Sequence, residues 1–241
     1  MKRRPLNLIS RALDRQAASA LRTSRRQSIL VNSLRAAVAL IIRGLLRLYH
    51  RFEIVGQDQL RTNRSLVIIA NHSSHLDTVC LLSALPLRSL HRAFPTAAAD
   101  YFYHNPLRSV VAAVFNALPF ARKVHARRSL SMCAELITDP GNILILFPEG
   151  TRSITGRIQQ FKPGVGALVA GRNVAVVPCY LEGAFEAWPK GQHLPRPKKV
   201  RLIVGAPRNY AASRPDKGDI SSIVAELYSA VESLGARNAR N

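Results

Sequence analysis

The chain has 241 residues, 47% of them hydrophobic, enough for one sizeable core and one domain. Lys and Arg number 35 against 14 Asp and Glu, a formal charge of +21, and that excess implies anionic partners: nucleic acid, an anionic membrane surface or phosphorylated substrates. Cys80, Cys133 and Cys179 lie far apart with no C-x-x-C pair, which argues against a zinc site and a disulfide framework and for buried small apolar residues in a reducing compartment.

Residues 1–28 form a basic arm with eight cations against one acid, Asp14. The apolar core of a secretory signal is missing after the first charges. The composition suits a transit peptide, a basic arm at a membrane or a solvated tail. Residues 29–50 have the spacing of an amphipathic helix. Stepping about 100° per residue, Leu34, Val38, Ile41, Leu45 and Leu48 fall within a sector of about 80°, and Arg35, Arg43 and Arg47 within another of about 120°. Arginines interrupt the run, so the helix suits a place in the membrane interface, apolar stripe down and arginines toward the headgroups, better than a span. The competing reading is a helix packed on its own domain.

The remaining residues, 51–241, are expected to form one catalytic domain. Residues 51–56 predict a first strand. Leu66–Ala70 is a buried apolar run that ends in a sudden polar cluster: Asn71, His72, Ser73, Ser74, His75 and Asp77. Residues 75–85 predict a helix, stopped at Pro86. Pro106–Leu118 predicts a second, with Pro106 near its start, and Ser129–Thr138 a third, with Ser129 as N-cap. A second buried strand, 142–147, ends in another polar burst, Pro148–Ser153. A short helix through Ala170 follows, then a strand over 174–181 whose Pro178 places it near an edge or a strand end. A Pro- and Gly-rich loop over 183–198 carries the lone Trp188. A strand over 199–204 and a helix over 220–234 close the chain. Alternating strands and helices predict an α/β fold with a mainly parallel central sheet flanked by helices, preceded by the N-terminal amphipathic membrane-docking helix.

A polar cluster at the carboxyl end of a buried strand is where open α/β sheets carry their sites. His72 has the chemistry of a general base toward an alcohol, and a carboxylate accepting from its other nitrogen fixes the tautomer. Five positions separate His72 from Asp77, which puts both on one turn entering a helix. The spacing alone also fits a capping turn. His72, His75 and Asp77 make a poor metal set without a second cluster, so no metal is expected. His75 is read as structural or surface, and Ser73 and Ser74 need not be nucleophiles. In the second burst, Arg152 offers a planar fork for phosphate and Gly150 lets the backbone approach closely. Arg122, Lys123 and Lys162 are further cations, Lys162 on its own reading as solvated. A base beside a phosphate clamp points to a phosphorylated alcohol.

Asn71-His-Ser-Ser-His-Leu-Asp77 together with Phe147-Pro-Glu-Gly-Thr-Arg-Ser153 resembles the glycerol-phosphate acyltransferase family, lysophosphatidic acid acyltransferases in particular. Its blocks occur in order between about Phe52 and Val204. The resemblance implies His72 and Asp77 as the catalytic pair and Phe120-Ala-Arg122 as the block whose arginine binds phosphate. It implies Glu149, Gly150, Thr151 and Arg152 as acceptor-binding residues, and Val177-Pro178 as the last block. It further implies acyl transfer to a glycerol hydroxyl at the cytoplasmic face of a membrane. Acyl-CoA or acyl-carrier protein would be co-substrate, with no other cofactor and membrane lipids as partners. Where family members often carry basic residues after the first helix, this chain reads Ala97-Ala-Ala-Asp-Tyr-Phe102, so an acyl-donor phosphate contact is in question there. Acylation of a different lipid acceptor is the alternative. Nucleic-acid binding is disfavoured: aromatics are 6% and no recognition motif appears.

Overall fold

A computed structural model describes residues 29–98, 115–120 and 126–238. Among the described residues, seven strands form one sheet in the order β1-β7-β6-β2-β5-β3-β4. They are β1 (Glu53–Val55), β2 (Leu66–Ala70), β3 (Ala93–Ala98), β4 (Leu118–Phe120), β5 (Ile143–Leu146), β6 (Ala175–Glu182) and β7 (Arg201–Val204). Every pairing is parallel except β6 with β7. The mainly parallel α/β sheet expected from the alternation is therefore the fold.

β2 is central, paired with β5 on one side and β6 on the other, and all five of its residues are buried. Successive side chains point to opposite faces of a strand. Leu66, Ile68 and Ala70 therefore enter one core with Cys80, Leu81 and Leu85. Val67 and Ile69 enter the other, with Cys133, Leu136, Leu168, Leu227 and Val231. The helices are α1 (Ile29–His50), α2 (Asp77–Ala84), α3 (Ala126–Thr138), α4 (Gly164–Val169), α5 (Ala184–Ala187) and α6 (Lys217–Asn238). α2 covers the first face; α3, α4 and α6 cover the second. All three cysteines are free and buried.

Several expectations are corrected. β6 is an interior strand, not an edge. Pro178 is tolerated there because its carbonyl accepts the Gly205 N–H. N and O of one strand residue point the same way, so the missing N–H falls on that side, past the last β6–β7 pair, Cys179 with Val204. α3 begins at Ala126, so Ser129 lies buried inside its first turn and is not its cap. Residues 115–117 are turn and Leu118–Phe120 is strand, so the expected second helix does not reach Leu118; the rest of it, 106–114, lies outside the described residues. β3 forms from Ala93-Phe-Pro-Thr-Ala-Ala98, where no strand is expected, held by pairing to β5 and β4.

α1 is helical as expected, but its faces are arranged differently. Leu34, Ile41, Leu45 and Leu48 are exposed, Leu48 by 85%. Arg35 is buried and donates to Asn116 Oδ1 at 2.7 Å. Arg43 donates to the Leu85 carbonyl at the end of α2. Two of the three arginines expected to meet headgroups thus face the domain, and burial pulls both of their pKa values down. A guanidinium offers five donors on an apolar stem, so it satisfies carbonyl oxygens at a helix end while packing its methylenes. Among the described residues, no helix is long and apolar enough to cross a membrane.

Candidate active site

The site is built where β2 and β5 end side by side, Ile69 opposite Leu146. The chain leaves β2 as Asn71, which is buried and reaches across to β6. Its Nδ2 donates to the Leu181 carbonyl at 3.1 Å and its Oδ1 accepts the Leu181 N–H at 2.7 Å. This amide replaces a ladder pair where the sheet stops, so the turn that follows starts from a fixed point.

His72 comes next, its side chain 17% exposed. Its Nδ1 stands 2.8 Å from Asp77 Oδ2. Asp77 is fully buried at the first position of α2. The same Oδ2 accepts the Ser73 N–H at 2.7 Å and the Ser74 N–H at 2.8 Å. Three donors on one carboxylate oxygen hold a charged acceptor in place, and an acid in the first turn of a helix is further favoured by the helix dipole. The carboxylate fixes His72 with Nδ1 protonated, leaving Nε2 as the nitrogen that accepts a proton. The imidazole also lies against Phe147, ring centroids 4.0 Å apart and planes inclined by 16°. That stacking sets the ring plane, which one hydrogen bond alone leaves free to rotate.

The second burst closes on the first through backbone bonds. Glu149, only 2% exposed, accepts the His72 N–H on Oε1 at 2.8 Å and the Gln159 N–H on Oε2 at 3.1 Å. The Ser153 N–H donates to the His72 carbonyl at 2.7 Å. Burial drives the Glu149 pKa up to about 7; the two N–H donors pull it down, and nearby Asp77 adds to the rise. Both oxygens of Glu149 are engaged by backbone, so this carboxyl clamps the His72 turn to the loop after β5.

Gly150 has φ of +72°, a left-handed conformation that glycine adopts without strain. A Cβ there would stand 2.5 Å from Lys162 Nζ. The end of Lys162, though its residue is exposed, therefore lies across the Gly150 backbone and brings a cation besides Arg152 to this loop. Thr151 is half-buried beside it. Arg152 lies against His75: its Nη1 is 2.6 Å from His75 Nε2 and 2.8 Å from Nδ1. Trp188 also packs on His75, ring centroids 5.1 Å apart. The Trp188 carbonyl accepts from Ser74 Oγ at 2.8 Å and from the His75 N–H at 3.3 Å. His75 and Trp188 thus position Arg152 and the His72 turn. Sequence spacing hid this because Arg152 and His75 lie 77 residues apart and Ser74 and Trp188 lie 114 apart. Arg122 and Lys123 lie outside the described residues, as do residues 99–102 of the segment Ala97–Phe102.

The Acyltransferase family model matches residues 51–182, over half of the chain, and the chain belongs to that family. It is 27% identical over 213 residues to a 1-acyl-sn-glycerol-3-phosphate acyltransferase of Limnanthes douglasii, covering 83% of this chain and 73% of that one. It is 29% identical over 163 residues to a chloroplastic 1-acyl-sn-glycerol-3-phosphate acyltransferase of Arabidopsis thaliana, covering 66% of this chain and 44% of that one. Among solved structures it is similar to the 1-acyl-sn-glycerophosphate acyltransferase of Thermotoga maritima, with a TM-score of 0.67 over 97% of this chain and 96% of that one. At 20% identity that likeness concerns the fold.

Proposed function

We propose that the protein moves a fatty acyl group from an acyl thioester, acyl-CoA or acyl-carrier protein, to the free hydroxyl of 1-acyl-glycerol-3-phosphate, a step of phospholipid synthesis. The observation that carries the reading is the His72 Nδ1–Asp77 Oδ2 contact of 2.8 Å on a turn clamped to the Gly-Thr-Arg loop. His72 Nε2 takes the proton from the acceptor hydroxyl as its oxygen attacks the thioester carbonyl. The imidazolium, stabilised by Asp77, gives that proton to the departing thiolate when the tetrahedral intermediate collapses. Arg152, with Lys162 over Gly150, supplies charge for the acceptor phosphate; Arg122 has the same role by its place in the family's motif. Glu149 is assigned to holding the His72 backbone, and Thr151 to the acceptor side of the loop.

The exposed stripe Leu34, Ile41, Leu45 and Leu48 on α1 supports docking in the interface of a bilayer, where a lysolipid acceptor resides; we assign this to the cytoplasmic face. The test is purified protein with labelled acyl donor and a panel of lysolipid acceptors, followed by product identification. His72→Ala is expected to lower transfer by about two orders of magnitude or more without unfolding the protein. Full activity in that variant overturns the assignment.

A further inference from the structure

The long β6–β7 connection carries chemistry that acyl transfer does not use. No acid occurs between Glu186 and Asp216, and Lys190, His193, Arg196 and Lys198 within that stretch are all exposed. Among these cations stands Leu194, 78% exposed.

This loop is not loose chain. Trp188 Nε1 donates to the Gln192 carbonyl at 2.9 Å, and the Arg196 N–H to the Ala187 carbonyl at 2.7 Å. Pro189, Pro195 and Pro197 each fix a φ. A leucine held out on a braced loop is not an accident of an unstructured tail. The loop also has a defined neighbour: Tyr49 Oη, at the carboxyl end of α1, donates to the Pro195 carbonyl at 3.0 Å. Leu194 precedes that acceptor and Leu48 precedes that donor. One hydrogen bond thus ties this loop to the end of α1 that carries Leu48.

We infer that the loop 188–198 is a second docking element for an anionic lipid bilayer, with Leu194 entering the interface and Lys190, Arg196 and Lys198 meeting headgroups. The inference rests on the reading of α1 as a membrane-docking helix and extends its surface. An exposed leucine on a loop of exposed cations, tied to the end of a helix with an exposed apolar face, matches a bilayer surface, acyl chains below and negative headgroups above. A free phosphate has no use for the leucine. The loop's base is the Trp188 carbonyl that holds Ser74 and His75, so seating this loop sets the catalytic turn at the depth of the lipid surface.

The experiment is sedimentation of the full chain with vesicles of phosphatidylcholine and phosphatidylglycerol, alongside transfer activity on acceptor dispersed in detergent. Leu194→Asp is expected to lower the vesicle partition coefficient about tenfold. Lys190→Ala and Arg196→Ala should each lower it about fivefold, the loss shrinking as salt rises. All three should keep the melting temperature and the detergent activity. Leu48→Asp on α1 is the control. If it weakens binding and the loop variants do not, the loop is no lipid contact. If none of the variants weakens binding, the α1 reading falls with it. Partitioning is read without turnover, so neither outcome depends on the proposed reaction. Wild-type vesicle binding by Leu194→Asp, with a raised KM for a carrier-protein donor but not for a CoA donor, would replace the bilayer with an acidic protein partner.

Discussion

Replacing Asp77 with Asn tests the proton-transfer scheme at its most constrained atom. Asp77 Oδ2 receives three donors, from His72 Nδ1, Ser73 N and Ser74 N. The two backbone N–H groups force an Asn side chain to present its oxygen there, because its NH2 group would face donors. The tautomer of His72 is therefore kept and the charge is lost. The NH2 group must then occupy the place of Oδ1, a buried atom with no hydrogen-bond partner among the described residues. Charge-assisted bonds are about twice as strong as neutral ones, so weakening three of them by roughly 0.5 to 1 kcal/mol each, plus a buried donor left unpaired, costs about 3 kcal/mol. A fall in melting temperature of about 6 to 12 °C corresponds to that loss in a chain of this size. The imidazolium formed during proton transfer loses its counter-charge, and kcat is expected to fall by about two orders of magnitude. The assay is thioester-release kinetics beside a thermal melt. A variant that melts lower yet turns over at the wild-type rate would refute the claim that His72 carries a proton through the reaction.

Glu149 gives a pH prediction. Burial raises its pKa to about 7 in the folded protein, above the carboxylate value of about 4.3 in an unfolded chain. Between these values the folded state binds the extra proton, so stability is full at the acid end and falls as pH rises toward 7, by about 3 kcal/mol in all. Urea unfolding at pH 5 and pH 8 should show this fall in the wild type and lose most of it in Glu149→Gln; equal slopes would count against a buried titrating carboxyl here. Gly150→Ala must adopt φ of +72° and push aside Lys162. It should cost about 1 to 2 kcal/mol and raise KM for a phosphorylated acceptor, which acceptor titration and denaturation measure together. Arg152→Ala should raise KM tenfold or more, by loss of a charge-assisted contact, and leave the melting curve nearly unchanged.

The two strand ends that make the site were legible because each is a fully apolar run broken abruptly by polar residues. The α1 helix was legible from its spacing, but its orientation was not. An apolar stripe beside arginines looks the same whether the arginines meet lipid headgroups or, as Arg43 does, a carbonyl at the end of another helix. β3 was missed because Ala93-Phe-Pro-Thr-Ala-Ala98 has weak strand propensity and exists through its partners. The family motif places Glu149 with the acceptor and says nothing of the two backbone N–H groups its oxygens accept. Which donors a buried carboxylate meets is a property of the folded contact and leaves no mark in spacing.

His72 is held at three points. Its N–H goes to Glu149, its carbonyl to Ser153 and its Nδ1 to Asp77. A side chain fastened this way spends no entropy reaching its reactive geometry, but it also has no slack. A shift of a few tenths of an ångström in the loop after β5 moves Nε2 by a similar amount, with no rotamer available to absorb it. Substitutions far from the substrate, at Gln159 or along β5, should therefore register as losses of rate before they register as losses of fold. For this chain, a slow variant is weak evidence that the altered residue touches substrate.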